Sequence, residues 1–168
     1  FSLVTYLPHP LAGHIDRIRQ ELVPDCRLRA HVTHLVPRPL QDPDAANRHI
    51  RETLARARPF EIRLDDVEIF TISSVVYVAL TDGFQEMLAL HADLNRGAAS
   101  FDEPYPFHPH VTLAQRISPA QVPGVFEHAR YRWAACRHDR RFLVDRAVFV
   151  QGARDDAWID LEEHPLAG

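Results

Sequence analysis

The tripeptide His31-Val32-Thr33 recurs 79 residues later as His110-Val111-Thr112. Along an extended strand, residues two apart project from one face, so each copy sets an imidazole beside a hydroxyl and sends its valine to the other side. An imidazole exchanges a proton near neutral pH, and a hydroxyl donates to a phosphate oxygen. Two such pairs facing one space supply the base and the acid that phosphodiester cleavage needs. A single His-x-Thr tripeptide is common. Its recurrence with the same central valine, at corresponding points of two similar halves, selects His31 and His110 as the catalytic pair and Thr33 and Thr112 as phosphate contacts.

Other residues near the motifs carry weaker signals. His108 precedes His110 by two, and with His31 and His34 it raises the alternative of a zinc or iron site. No carboxylate accompanies either motif closely, Asp102 and Glu103 lying in the preceding loop, so no metal and no cofactor are expected. Tyr105 and Phe107 offer ring faces on which a base could stack. Arg116 shares strand parity with His110 and Thr112, as Arg27 and Arg29 do with His31, which makes an arginine contact to phosphate plausible.

The elements that must position these residues follow from apolar spacing and from breaks at proline and glycine. Strands are expected at 1–7, 27–36, 60–70, 74–80, 110–115, 142–150 and 157–162. Helices are expected at 10–22, from an N-cap at Asp42 with Pro43 at the first position to about 58, at 81–97, and at 118–130. An irregular proline-rich loop, 98–109, leads into the second motif. The order of strands and helices repeats weakly, with halves at about 1–72 and 73–168 and one motif on each. Alternating strands and helices also suit a doubly wound parallel sheet. The preferred architecture is α+β: one domain, 1–168, of two duplicated lobes with mainly antiparallel sheets, helices outside and a central cleft.

Taken together, these residues resemble the two-histidine phosphoesterase superfamily, which includes the 2′-5′ RNA ligases and 2′,3′-cyclic phosphodiesterases. Its signature is a pair of His-x-Thr/Ser-x motifs, x hydrophobic, about half a chain apart. Phe107–Gln115, FHPHVTLAQ, is similar to the second motif with its usual lead-in, and the resemblance covers nearly the whole sequence. It implies a two-lobed fold with one motif per lobe and metal-free action on 2′,3′-cyclic phosphates or 2′-5′ linkages, with reverse ligation by the same pair. Two positions depart from the pattern. His34 stands where relatives are mostly hydrophobic, and is expected to be a hydrogen-bonded structural imidazole. Gln115 stands where many relatives carry arginine, leaving Arg116 as the nearby cation.

Composition narrows the partner. The formal net charge of -4 argues against a broad basic surface that tracks a long phosphate backbone. RNA ends, or small cyclic or 2′-5′ linked nucleotides, are therefore the expected ligands. No run is long and apolar enough to span a bilayer, and the two cysteines, Cys26 and Cys136, form no CxxC pattern. A cytoplasmic protein without membrane contact is the expectation. Two other functions compete with the phosphoesterase: a noncatalytic module that binds RNA ends or nucleotides, and a metal-dependent hydrolase.

Overall fold

The chain folds into two four-stranded sheets flanked by helices, in a computed structural model that describes residues 1–153 and 157–168. The first half runs β1 (Ser2–Tyr6), α1 (Leu11–Leu22), β2 (His31–Leu35), α2 (Pro43–Leu54) and β3 (Phe60–Phe70). The second runs β4 (Val75–Leu80), α3 (Phe84–Leu94), a 3-10 turn (Gly97–Ala99), β5 (Val111–Ala114), α4 (Val122–Ala134), β6 (Arg141–Val144), β7 (Arg146–Gly152) and β8 (Trp158–Pro165). The sheet orders are β2-β1-β7-β8 and β5-β4-β3-β6, and every described strand pair is antiparallel. This is the expected α+β class, and the parallel alternative is excluded.

The division of the sequence into halves is not the division into sheets. β3 leaves the first half to pair with β4, and β7 leaves the second half to pair with β1. The helices trade sides in the same way. α1 packs on β5 and α4, while α3 packs on β2 and α2. In both sheets the strand bearing a motif is the edge strand, and β2 and β5 lie next to each other. One apolar core, including Leu3, Ile15, Ile50, Ile62, Met87 and Leu113, runs through both halves.

Several boundaries differ from the sequence expectation for identifiable reasons. The single strand read over 142–150 is two strands in different sheets, with Asp145 at the crossing. β6 is an edge strand and alternates exposed with buried residues, whereas β7 is central and is buried over four consecutive positions. β2 starts at His31 rather than at residue 27, because the Arg29 carbonyl is occupied by side chains: Arg19 Nη1 donates to it at 3.1 Å and His31 Nδ1 at 2.6 Å. α3 begins only at Phe84, after Gly83 at φ 81, where a Cβ would meet the Glu61 carbonyl at 2.6 Å. It ends at Leu94 and not at Gly97, α4 continues to Ala134, and β8 extends to Pro165.

Candidate active site

Because β2 and β5 are adjacent edge strands, their motifs open into one cleft of about 680 Å³, lined by His31, Thr33, His110 and Thr112. Val32 and Val111, on the opposite faces, are fully buried and hold the strands to the core. Neither threonine hydroxyl has a hydrogen-bond partner among the described residues, so both are available to a ligand in the cleft.

The two imidazoles are held alike. His31 Nδ1 donates to the Arg29 carbonyl at 2.6 Å, and His110 Nδ1 donates to the His108 carbonyl at 2.7 Å, in each case the residue two positions earlier. A carbonyl only accepts, so these bonds place the proton on Nδ1 and leave Nε2 as the atom that exchanges protons. Their surroundings differ. His31 is 7% exposed and lies against Trp158, ring centroids 4.6 Å apart. His110 meets the edges of Phe70 at 5.0 Å and Tyr77 at 5.2 Å.

Both imidazoles are held toward the neutral form. Burial, then the Arg19 guanidinium, then the charge of His110 push His31 down to about 3, against the opposing pull of the Arg29 carbonyl. His110 is also lowered, chiefly by burial, with the His108 carbonyl opposing and His108 itself repelling a second charge.

The remaining expected site residues occupy unequal positions. Tyr105, 59% exposed, stands at the rim of the cleft, and Phe107 lines it while one ring face is stacked on His91 at 3.8 Å. Arg116 follows the end of β5 at φ 57 and is not among the cleft-lining residues, so strand parity does not extend to it. Arg29 is turned outward, over the Tyr6 ring at 3.5 Å and paired with Asp160, and Arg27 is exposed outside the cleft. His34 is fully buried on the other face of β2, where Nε2 donates to Thr5 Oγ1 at 2.8 Å and Thr5 donates to the Arg146 carbonyl at 2.6 Å. That face is closed to the cleft, so His34 shares no ligand with His31. His108 packs among Phe70, Tyr77 and Phe84. Among the described residues no group of three His, Cys, Asp or Glu side chains is arranged to hold a metal ion.

Among the cleft residues that the sequence reading did not single out are Arg19, Trp158 and Phe70. Arg19 left a trace, since it sits four residues after Ile15 on the buried stripe of α1, a position that ordinarily takes an apolar residue. Trp158 and Phe70 come from strands far from either motif in sequence and left none. A buried network steadies the loop before the second motif. Arg38 donates to Glu103, Asn95 and the Ala99 carbonyl, while His91 Nδ1 donates to the His34 carbonyl and stacks on Phe107.

This geometry agrees with comparison to known proteins. The profile of the 2′-5′ RNA ligase superfamily matches residues 7–156, and the chain belongs to that family. It is 25% identical over 112 residues to a presumed phosphoesterase of Bacillus licheniformis, a stretch covering 66% of this chain and 63% of that protein. Escherichia coli LigT complexed with 3′-AMP has the same fold, with a TM-score of 0.67 at 19% identity, covering 99% of this chain and 97% of LigT. A crystal structure described as a phosphoesterase is similar to the same degree, with a TM-score of 0.67 at 19% identity and coverage of 99% and 97%. No described helix is long and apolar enough to cross a membrane.

Proposed function

We propose that this protein is a metal-independent phosphoesterase acting on 2′,3′-cyclic phosphate or 2′-5′ phosphodiester bonds of nucleotides or RNA ends. The observation that carries the reading is the matched pair of Nδ1–carbonyl hydrogen bonds, which leaves two Nε2 atoms and two unengaged threonine hydroxyls in one cleft. Phosphorus sits between the imidazoles, with Thr33 and Thr112 donating to nonbridging oxygens. One imidazole takes a proton from water as its oxygen attacks phosphorus, and the other protonates the departing ribose oxygen. His31 is the base, since the Arg19 cation opposes its protonation, and His110 is the acid. The substrate's negative charge offsets the burial that keeps His110 neutral in the free protein, so the acid gains its proton on binding. With a 5′-hydroxyl in place of water as the nucleophile, the same pair joins it to a cyclic phosphate, the ribose oxygen again departing with the proton from the acid. That LigT has been solved with phosphate and with 3′-AMP supports a nucleotide phosphate as the ligand class here.

The test is a screen of 2′,3′-cyclic mononucleotides, 2′-5′ dinucleotides and cyclic-phosphate-ended RNA in EDTA. Turnover that survives chelation and disappears in His31→Ala and His110→Ala is expected. Activity abolished by EDTA would transfer the chemistry to a metal, and tight binding without turnover would make the protein a recognition module.

A further inference from the structure

We propose that Arg19 is a phosphate-binding residue of this cleft, reaching from α1 to the ligand held between the two motifs. Arg19 is 3% exposed and lines the cleft beside His31. Its guanidinium donates to the Arg29 carbonyl at 3.1 Å and to Cys26 Sγ at 3.3 Å, and Nε is buried without a partner. No ion pair to a carboxylate is formed among the described residues. Asp16, one turn earlier on α1, is close enough to feel the charge of Arg19 yet does not pair with it.

An arginine has five N–H donors, and here most lack acceptors. Taking a cation out of water without a counter-charge in direct contact is among the costlier arrangements in a folded protein, and such charges are ordinarily paired. The apolar stripe of α1 would be served at position 19 by leucine. A buried, unpaired guanidinium facing a cavity with two threonine hydroxyls and two imidazoles is explained by an anion that completes it, and a phosphate oxygen matches the planar fork. The other arginines near the motifs do not compete for this role, Arg29 being paired with Asp160 at the surface and neither Arg27 nor Arg116 lining the cleft. Since α1 packs on β5, the guanidinium stands where both halves of the site converge.

The inference rests on the phosphoesterase reading for its ligand class only, so its test measures binding rather than turnover. Inorganic phosphate and 3′-AMP are titrated calorimetrically into wild type, Arg19→Met, Arg19→Lys and an Arg27→Met control. Arg19→Met is expected to weaken both ligands by about 10- to 100-fold, Arg19→Lys by less, and Arg27→Met not at all. A structural role alone would not raise the His31 pKa, whereas removing the cation does, which an NMR titration of the imidazole reads. If Arg19→Met does not fold, the guanidinium resonances of wild-type Arg19 decide, and they are expected to shift on phosphate addition with the same midpoint as binding. Phosphate affinity unchanged in Arg19→Met, no phosphate binding by wild type, or unmoved guanidinium resonances would overturn the assignment. A protein that turns over no cyclic phosphate but binds phosphate through Arg19 loses the enzymatic reading and keeps this one.

Discussion

His31 and His110 make the same hydrogen bond in different company. On the first-motif side the imidazole is shut in, with Trp158 against its ring and a guanidinium nearby. On the second-motif side the ring is half-buried among the edges of Phe70 and Tyr77, and the charge that opposes its protonation is that of His108 rather than a guanidinium. Backbone geometry thus gives the two rings the same tautomer, and side-chain electrostatics makes their surroundings unequal, although both are held toward the neutral form. On the proposed mechanism, a site assembled from a repeated motif acquires its division of labour from residues that are not repeated.

The largest effect should come from erasing either imidazole. General acid-base catalysis is worth on the order of 100- to 10,000-fold, so His31→Ala and His110→Ala should each lower turnover of a 2′,3′-cyclic nucleotide by about that factor. The double variant should be little worse, because groups acting as one unit are not additive. A folded His110→Ala protein with near-wild-type rates would remove the acid-base pair altogether.

The inequality between the two is sharpened by the leaving group. A p-nitrophenyl ester departs without protonation, so it should restore most of the lost rate to His110→Ala and little to His31→Ala, in steady-state assays of both variants. The reverse pattern would exchange base and acid. Hydrogen bonds to charged oxygens are weaker contributors than proton transfer. Thr33→Ala and Thr112→Ala should therefore each lose roughly tenfold to a hundredfold in kcat/KM, about equally if the phosphate is centred between the motifs.

The smallest catalytic effect is expected at His34, which directly follows Thr33 but is buried on the other face of β2. His34→Ala should leave the turnover of folded protein near wild type and lower the melting temperature. Burial pushes this imidazole down to about 3, as it does His31. An unfolded histidine near its ordinary value of about 6.5 binds protons that the folded one refuses, so stability is full above that pH and falls progressively toward about pH 3. Denaturation curves across this range should be flatter for His34→Ala than for wild type.

The sequence disclosed what is local. Both tripeptides, the N-cap at Asp42, whose side chain accepts from the Ala45 amide at 2.9 Å, and the alternation of β3 could be read from neighbouring residues alone. What it hid is non-local. Nothing in FLVDRAVFV announces that the chain changes sheets at Asp145, because the alternating and the continuous apolar patterns meet without a glycine or proline between them. The strand parity assigned to Arg116 fails for a related reason. Parity presumes that a strand continues, and β5 ends at Ala114 before a left-handed backbone at Arg116. Trp158 reaches His31 from β8, across the width of a sheet that only tertiary pairing creates.

The trade of β3 and β7 between halves has an ancestral reading. If a gene for one strand-helix-strand-helix-strand unit encoded a protein that gave its last strand to a twin, joining two copies end to end would yield the shared part of this connectivity, β2-β1-β7 and β5-β4-β3, with β6 and β8 added in the second half. Each ancestral chain would have carried one histidine, and its hydrolytic centre would have existed only between subunits. The present chain keeps that interdependence within one polypeptide: severed near residue 72, each piece lacks a strand that its own sheet requires, and each carries only one of the two motifs.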